Sequence, residues 1–129
     1  MTGPRAKELT ERELAVMRVF WDDGPGTAED ARQRLSDSGV ELAYVTVANV
    51  VRGLEDKGFL KQLNKSRPFL YEPARSFDEV SKRLVGDLVE RLFDGSRQQL
   101  LVQVLGSRRL SKTEREFLKQ VLQDQESRR

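Results

Sequence analysis

The chain has 129 residues, with 23 lysines and arginines against 21 aspartates and glutamates, one tryptophan, and neither cysteine nor histidine. The missing cysteines exclude disulfide frameworks, thiolate metal sites and cysteine nucleophiles; the missing histidines remove the commonest metal ligand and the usual general base near neutral pH. With 37% hydrophobic and 34% charged residues, the composition fits a helix-rich binding module, with no catalytic residues, metal or cofactor expected.

No run approaches the roughly 20 apolar residues of a membrane span, and Met1 to Glu8 lacks the apolar stretch of a signal peptide. A cytoplasmic protein without membrane insertion is expected. Charge is unevenly spread. Residues 1–42 hold 6 basic and 9 acidic side chains, residues 43–75 hold 6 and 3, and residues 76–129 hold 11 and 9. The positive excess peaks in the middle third, where either a nucleic-acid surface or a solvated basic face is expected.

Thr10-Glu11-Arg12-Glu13 reads as a capping box, and behind it Leu14, Met17 and Trp21 recur at helical spacing, with Val16 and Phe20 widening the stripe. Gly24-Pro25-Gly26 ends this helix. Thr27 caps a second helix from Ala28 to about Asp37, with Ala28, Ala31 and Leu35 inward and Glu29 and Asp30 suited to the dipole at its start.

The segment from Ala43 to Lys57 is rich in β-branched residues, which favours a strand by propensity. Its period argues for a helix. Val47, Val50, Val51 and Leu54 share one helical face, whereas strand alternation from Val45 would place Asn49 among buried residues. Gly58 is a natural left-handed stop. Phe59 to Leu63 and Phe69 to Glu72 then read as two strands around the basic, turn-prone tip Asn64 to Pro68, with Pro73 closing the second strand.

The remaining residues read as three helices. Ser76-Phe77-Asp78-Glu79 opens one with a capping box and a stripe of Phe77, Val80, Leu84, Leu88 and Leu92. Asp94-Gly95-Ser96 breaks it. Leu100, Leu101, Val104 and Leu105 mark a short helix ended by Gly106. Ser111-Lys112-Thr113-Glu114 caps the last, with Phe117, Leu118, Val121 and Leu122 apolar.

The fold class is therefore mainly α with a small β-hairpin: an N-terminal winged helix-turn-helix over residues 8–75 and a C-terminal three-helix dimerisation segment over residues 76–125. Residues 1–7 and 126–129 are expected to be flexible tails. Three helices in so short a segment make a poor independent core; packing onto the first domain is one cover for their apolar stripes, and a second copy is the more expected one. Val80, Leu84, Leu88, Leu92, Leu100, Leu101, Val104, Leu118, Val121 and Leu122 are the candidate dimerisation residues.

The order of elements points to DNA. A third helix that buries its valines must present Val45, Asn49, Arg52 and Asp56 outward, with Thr46 at the flank, and an α-helix fits the major groove. Asn49 is suited to pair with an adenine, Val45 or the Thr46 methyl to meet a thymine methyl, and Arg52 to reach a guanine or a phosphate. Lys61, Lys65 and Arg67 on the hairpin are candidates for phosphate contacts. Each has a plain rival: Thr46 as an early helix residue, Asn49 as a solvated amide, Arg52 as a partner of Glu55, and Tyr44 and Tyr71 as packing or as phosphate contacts. Asp56 repels phosphate and belongs away from DNA.

These segments resemble the penicillinase-repressor family (BlaI/MecI type) of bacterial winged-helix regulators. The resemblance rests on Leu9-Thr10 with Glu13, Val16, Met17 and Trp21, on Ala43-Tyr44-Val45-Thr46-Val47, and on Leu54-Glu55-Asp56-Lys57-Gly58-Phe59-Leu60. Phe69-Leu70-Tyr71-Glu72-Pro73, Leu92-Phe93-Asp94-Gly95-Ser96 and Leu110-Ser111 with Glu114 extend it to about residues 8–125. It implies a homodimeric transcriptional repressor on a palindromic double-stranded DNA operator, dimerising through its C-terminal helices. Base contacts are implied at Val45, Thr46 and Asn49.

The sequence departs from the family where Val45 and Asn49 replace a frequent Ser or Thr and Gly53 replaces Arg. The copper-responsive branch carries C-terminal cysteines that this chain lacks, so copper sensing is not expected. In the antibiotic-resistance branch a sensor or protease system relieves repression, and its Asn-Phe cleavage pair falls at Gln103-Val104 here. A winged helix that contacts protein instead of DNA is the alternative function.

Overall fold

The computed structural model describes residues 9–128, and the expectation for residues 1–7 lies outside these described residues. Six helices and one hairpin follow in order: α1 (Glu11–Asp23), α2 (Ala28–Asp37), α3 (Tyr44–Asp56), β1 (Leu60–Gln62), β2 (Tyr71–Pro73), α4 (Phe77–Arg91), α5 (Arg97–Gly106) and α6 (Lys112–Ser127). Mainly helical with a two-stranded antiparallel hairpin, this is the fold class the sequence pattern predicts. The chain divides into two compact units between Asp87 and Leu88.

Local signals place the helix starts. The capping box at Thr10 closes both ways, Glu13 N–H donating to Thr10 Oγ1 (3.1 Å) and Thr10 N–H to Glu13 Oε1 (2.8 Å). Thr27 with Asp30 and Ser111 with Glu114 make the same reciprocal pairs. At Ser76 only half of the expected box forms. Glu79 N–H donates to Ser76 Oγ (3.0 Å), but the Glu79 carboxylate turns to Arg75 at 3.0 Å.

In the first unit, α1, α2, α3 and the hairpin surround one core. Val16, Met17 and Phe20 of α1, Ala28, Ala31 and Leu35 of α2, and Val47, Val51 and Leu54 of α3 are buried with Phe59, Leu60 and Tyr71. Val50 is half-buried at the edge of this core. Period thus prevails over β-propensity in α3, because a helix puts Val47, Val51 and Leu54 on one inward stripe. Gly58 follows in the left-handed region (φ 86°), where it needs no Cβ.

The start of α4 belongs to this core as well. Val80 is 3% exposed within it and Leu84 packs against it, so these two candidate dimerisation residues are spent on the winged helix. Trp21 anchors the entry to α4: its Nε1–H donates to the Arg75 carbonyl at 2.9 Å and its ring meets Phe77 edge-on at 5.3 Å. The unit therefore extends past the boundary expected at residue 75.

The hairpin pairs Leu60 with Pro73, Lys61 with Glu72 and Gln62 with Tyr71. Pro73 lies inside β2 instead of after it, and Phe69 and Leu70 lie outside the ladder. The Leu70 N–H is taken by the Asn64 side chain (2.8 Å), which withdraws it from strand pairing. A third segment joins β2, with Gly26 and Tyr71 exchanging N–H···O bonds of 3.0 and 2.8 Å.

In the second unit, α5 and α6 begin at Ser96 and Ser111, whose hydroxyls accept from Gln99 and Glu114 N–H. Helix α6 runs through Ser127, and the N–H of its C-cap Arg128 turns back to the carbonyls of Gln125 and Glu126, so Glu126 and Ser127 are helical. Among described residues 88–128, Val89 alone is buried.

Gly53 has a testable place in this architecture. It lies in mid-helix, and a Cβ there would meet nothing within 4 Å, so close packing does not account for it. Gly53→Ala is expected to raise unfolding free energy by about 0.5–1 kcal/mol in urea titration.

Candidate functional site

The outer face of α3 is bare. Tyr44, Val45, Asn49 and Arg52 are exposed, Val45 to 62%, and Thr46 is half-buried at the flank. Their placement follows from the inward stripe: at about 100° of rotation per residue, Val45, Asn49 and Arg52 fall on the side of the helix roughly opposite Val47, Val51 and Leu54. Asp56, also exposed, sits at the last turn of α3, away from the N-terminal turns.

Opposite this face stand the start of α2 and the hairpin loop. Together they enclose a groove of about 460 Å³, with Thr27 and Glu29 on one wall, Asn49 and Arg52 on another, and Arg67 and Phe69 on the third. Tyr71 forms part of its lining, and burial raises the Tyr71 phenol above its usual value. It therefore stays protonated at neutral pH.

The hairpin loop is framed by one side chain the sequence reading did not single out. Asn64 Nδ2 donates to the carbonyls of Ser66 and Pro68 (both 3.1 Å), its Oδ1 accepts from Leu70 N–H (2.8 Å), and its own carbonyl accepts from Gln62 Nε2 (2.6 Å). An Asn in a turn-prone stretch is the signal that marks it, since a short amide is the side chain that best substitutes for backbone partners. Arg67, carried on this frame, stacks over the Phe69 ring at 5.4 Å. Lys65 is exposed at the tip.

Ion pairing sorts the six basic residues of the middle third. Lys57 pairs with Glu13 (3.0 Å), Lys61 with Glu72 (3.2 Å) and Arg75 with Glu79 (3.0 Å). Lys61, expected as a phosphate contact, is thus balanced across the strands by its register partner. The three left without an ion pair among the described residues are Arg52, Lys65 and Arg67, and two of these line the groove. Within the middle third, the positive charge left without an ion pair includes Arg52 and Arg67 on the groove wall and Lys65 at the loop tip.

Asn49 and Arg52 are joined to each other. Arg52 Nη1–H donates to Asn49 Oδ1 at 3.1 Å, instead of pairing with Glu55. That oxygen keeps a second lone pair, so the bidentate adenine pairing expected of Asn49 stays open to it.

In the second unit, Leu88, Leu92, Leu101, Val104 and Leu122 are exposed, and Leu100, Leu118 and Val121 are half-buried. Leu105, Leu110, Phe117 and Leu118 line an apolar groove of about 370 Å³. Gln103 and Val104 are exposed on α5. Among the described residues no cluster of acidic side chains is placed to hold a metal, and no helix is long and apolar enough to cross a membrane.

The model of the penicillinase repressor family matches residues 9–124. None of the curated proteins matches the sequence. Among solved structures, the solution structure of the DNA-binding domain of the repressor BlaI aligns with 59% of this chain and 92% of its own, at 22% identity and a TM-score of 0.50. RosR of H. salinarum aligns with 96% of this chain and 99% of its own, at 15% identity and a TM-score of 0.54. The ferric uptake regulator of Vibrio cholerae is matched over 56% of this chain at 21% identity and a TM-score of 0.48, and the chain spans 58% of that regulator's length. At these identities the likeness to solved structures is one of fold.

The frame around Asn64 is open to a direct check. In Asn64→Ala the Leu70 amide should exchange with solvent roughly fivefold faster, the equivalent of about 1 kcal/mol for one lost hydrogen bond, while α1 amides keep their protection. Unchanged exchange at Leu70 would show that the loop holds itself without this side chain.

Proposed function

The chain belongs to the penicillinase repressor family, and from that premise we propose that it represses transcription as a homodimer on a palindromic operator. The family makes it a winged-helix, DNA-binding transcriptional regulator, and the repressors of that family are not enzymes. The observation that carries the finer reading is the groove against the exposed outer turns of α3, lined by Arg52 and Arg67 without ion-pair partners among the described residues, with Lys65 exposed at the tip of the hairpin loop.

In this reading α3 enters the major groove with Tyr44, Val45, Thr46 and Asn49 toward the bases, and Arg52 one turn on. Lys65 and Arg67 meet phosphates, which supplies affinity without sequence information. Lys61 contributes less, because Glu72 already balances it.

Dimerisation is assigned to the second unit. Leu88, Leu92, Leu101, Val104, Phe117 and Leu122 expose apolar surface that a lone segment leaves in water. A second copy related by a two-fold axis covers it with the same residues and places two copies of α3 on two half-sites, hence the palindrome. Leu100, Leu118 and Val121 belong to the same face; Val80 and Leu84 do not. Relief of repression falls to a sensor or protease acting on α5, and the regulator works with the chromosome in the cytoplasm.

Fluorescence anisotropy with the chain's own promoter DNA at two salt concentrations tests the DNA contact. Affinity should fall steeply with salt, each phosphate contact adding about −0.9 to the slope of log K against log salt. Lys65→Ala should weaken all sequences alike and flatten the slope by about 1. The absence of salt-sensitive, sequence-selective binding would favour a protein-contact module instead.

Sedimentation tests the assembly. Leu92 is 68% exposed, so Leu92→Asp should leave the fold intact, shift the dimer to monomer and weaken operator binding together. A monomeric wild type at micromolar concentration would refute the dimer.

A further inference from the structure

We infer that the groove between α2, α3 and the hairpin loop is also a binding site for a small, flat organic anion of the aryl carboxylate class, and that this ligand and the operator exclude each other. The exclusion rests on the reading of α3 as the helix that meets DNA; the ligand site does not.

One hydroxyl of the groove has nothing to bond. Tyr71 is 8% exposed, yet its phenol has no hydrogen-bond partner among the described residues. Buried polar groups are nearly always paired, so an unpaired one marks a place that something from outside the chain completes. The oxygen is not sealed inside the fold, and the groove that Tyr71 lines is where it opens. Burial keeps the phenol protonated at neutral pH, which makes it a donor.

Further donors converge on the same space. Arg52 and Arg67 stand on two walls, and the charges of both act on the Tyr71 phenol, which places them near it. Neither has an ion-pair partner among the described residues, and Arg67 touches only the face of Phe69. On the third wall α2 begins. Its first amides, of Ala28 and Glu29, have no partner among the described residues, as the first turn of a helix cannot supply one. The single carboxylate of the lining, Glu29, is ion-paired with Arg32, which donates to both of its oxygens at 2.8 and 2.7 Å. Two guanidiniums and a helix start against one paired carboxylate favour an anion.

The rest of the lining selects the kind of anion. Ala28, Val45, Ala48, Pro68 and Phe69 are apolar, and about 460 Å³ lies in the range of small-molecule sites. A lone phosphate takes up the donors and leaves these side chains facing water. An aryl carboxylate uses both, its ring against Ala48 and Phe69 and its carboxylate toward Arg67 and Tyr71. Such a ligand covers Asn49, Arg52 and Arg67, the groups that meet DNA in the proposed complex.

Titration of the full-length chain with 2-naphthoate, followed by backbone amide shifts, tests the site. The amides of Ala28, Ala48, Phe69 and Tyr71 should move saturably while those of α6 stay in place. Uncharged 2-naphthamide should bind at least about tenfold more weakly, the lower end of what a hydrogen-bonded charge contributes. Tyr71→Phe removes only a hydroxyl that no group of the fold uses. The fold and the operator affinity without ligand should therefore be unchanged, and 2-naphthoate should bind about 2- to 12-fold more weakly, the range of one hydrogen bond. Under mutual exclusion, 2-naphthoate at a concentration equal to its own Kd should about double the apparent operator Kd. Tyr71→Phe should need correspondingly more ligand for the same effect.

Inorganic phosphate moving the same amides at the same concentrations and ionic strength would overturn the inference, leaving a site for phosphate alone. Equal binding of 2-naphthamide, or shifts confined to α5 and α6, would overturn it too. 2-Naphthoate seated in the groove with operator affinity unmoved would overturn the exclusion. In each of these cases DNA binding by the wild type stands. Failure of the wild type to bind promoter DNA would overturn that reading instead, and the amide shifts would still decide the ligand site.

Discussion

Val47, Val51 and Leu54 are closed off from solvent by α1, α2 and the hairpin, and the rest of the molecule's chemistry follows from that burial. A helix has one inward stripe; once three residues of α3 are committed to it, the angular positions of Tyr44, Val45, Asn49 and Arg52 are no longer free. Losing a buried leucine of this kind costs on the order of 2–5 kcal/mol, far more than any single exposed contact on the other side contributes. The outer face is held in place by packing it does not take part in, which leaves its residues free to be chosen for what they bind.

Charge is arranged by the same economy. The first and middle parts of the chain carry opposite excess charge, and three of the basic side chains in the middle part are balanced within the fold by Glu13, Glu72 and Glu79. Exposed pairs of this sort stabilise the fold little, typically 0–1 kcal/mol. Their larger effect is on the field of the middle part: they balance Lys57, Lys61 and Arg75 and leave Arg52, Lys65 and Arg67 uncompensated there. Asn64 then fixes where the loop carrying two of these points, through hydrogen bonds to the backbone on both sides of the tip.

Much of this is legible in the sequence because the signals are local. Thr10 with Glu13, Thr27 with Asp30, and Ser111 with Glu114 mark helix starts through bonds spanning three residues, and Gly58 marks an end. The helical period of Val47, Val51 and Leu54 outweighs the β-propensity of the same residues because burial stabilises more than propensity costs.

What the sequence hides is what depends on register or on distant partners. That Lys61 faces Glu72 follows from a strand alignment no local pattern fixes. That Tyr71 pairs with Gly26, or that Trp21 seizes the Arg75 carbonyl across 54 residues, requires the tertiary structure. Val80 and Leu84 share the stripe of Leu88 and Leu92, and only the packed core shows that the first two are taken up by the winged helix while the last two stay exposed. The Arg52–Asn49 bond is equally invisible, since Arg52–Glu55 has the same spacing.

The central claim is that the face of α3 opposite Val47, Val51 and Leu54 is the surface that meets DNA. Backbone amide chemical shifts followed during titration with promoter duplex test it most directly. Perturbations clustered on residues 44–52 and 64–69, with the amides of α1 unmoved, are the predicted result. Perturbations confined to α5 and α6, or spread over α1 with α3 silent, would contradict it.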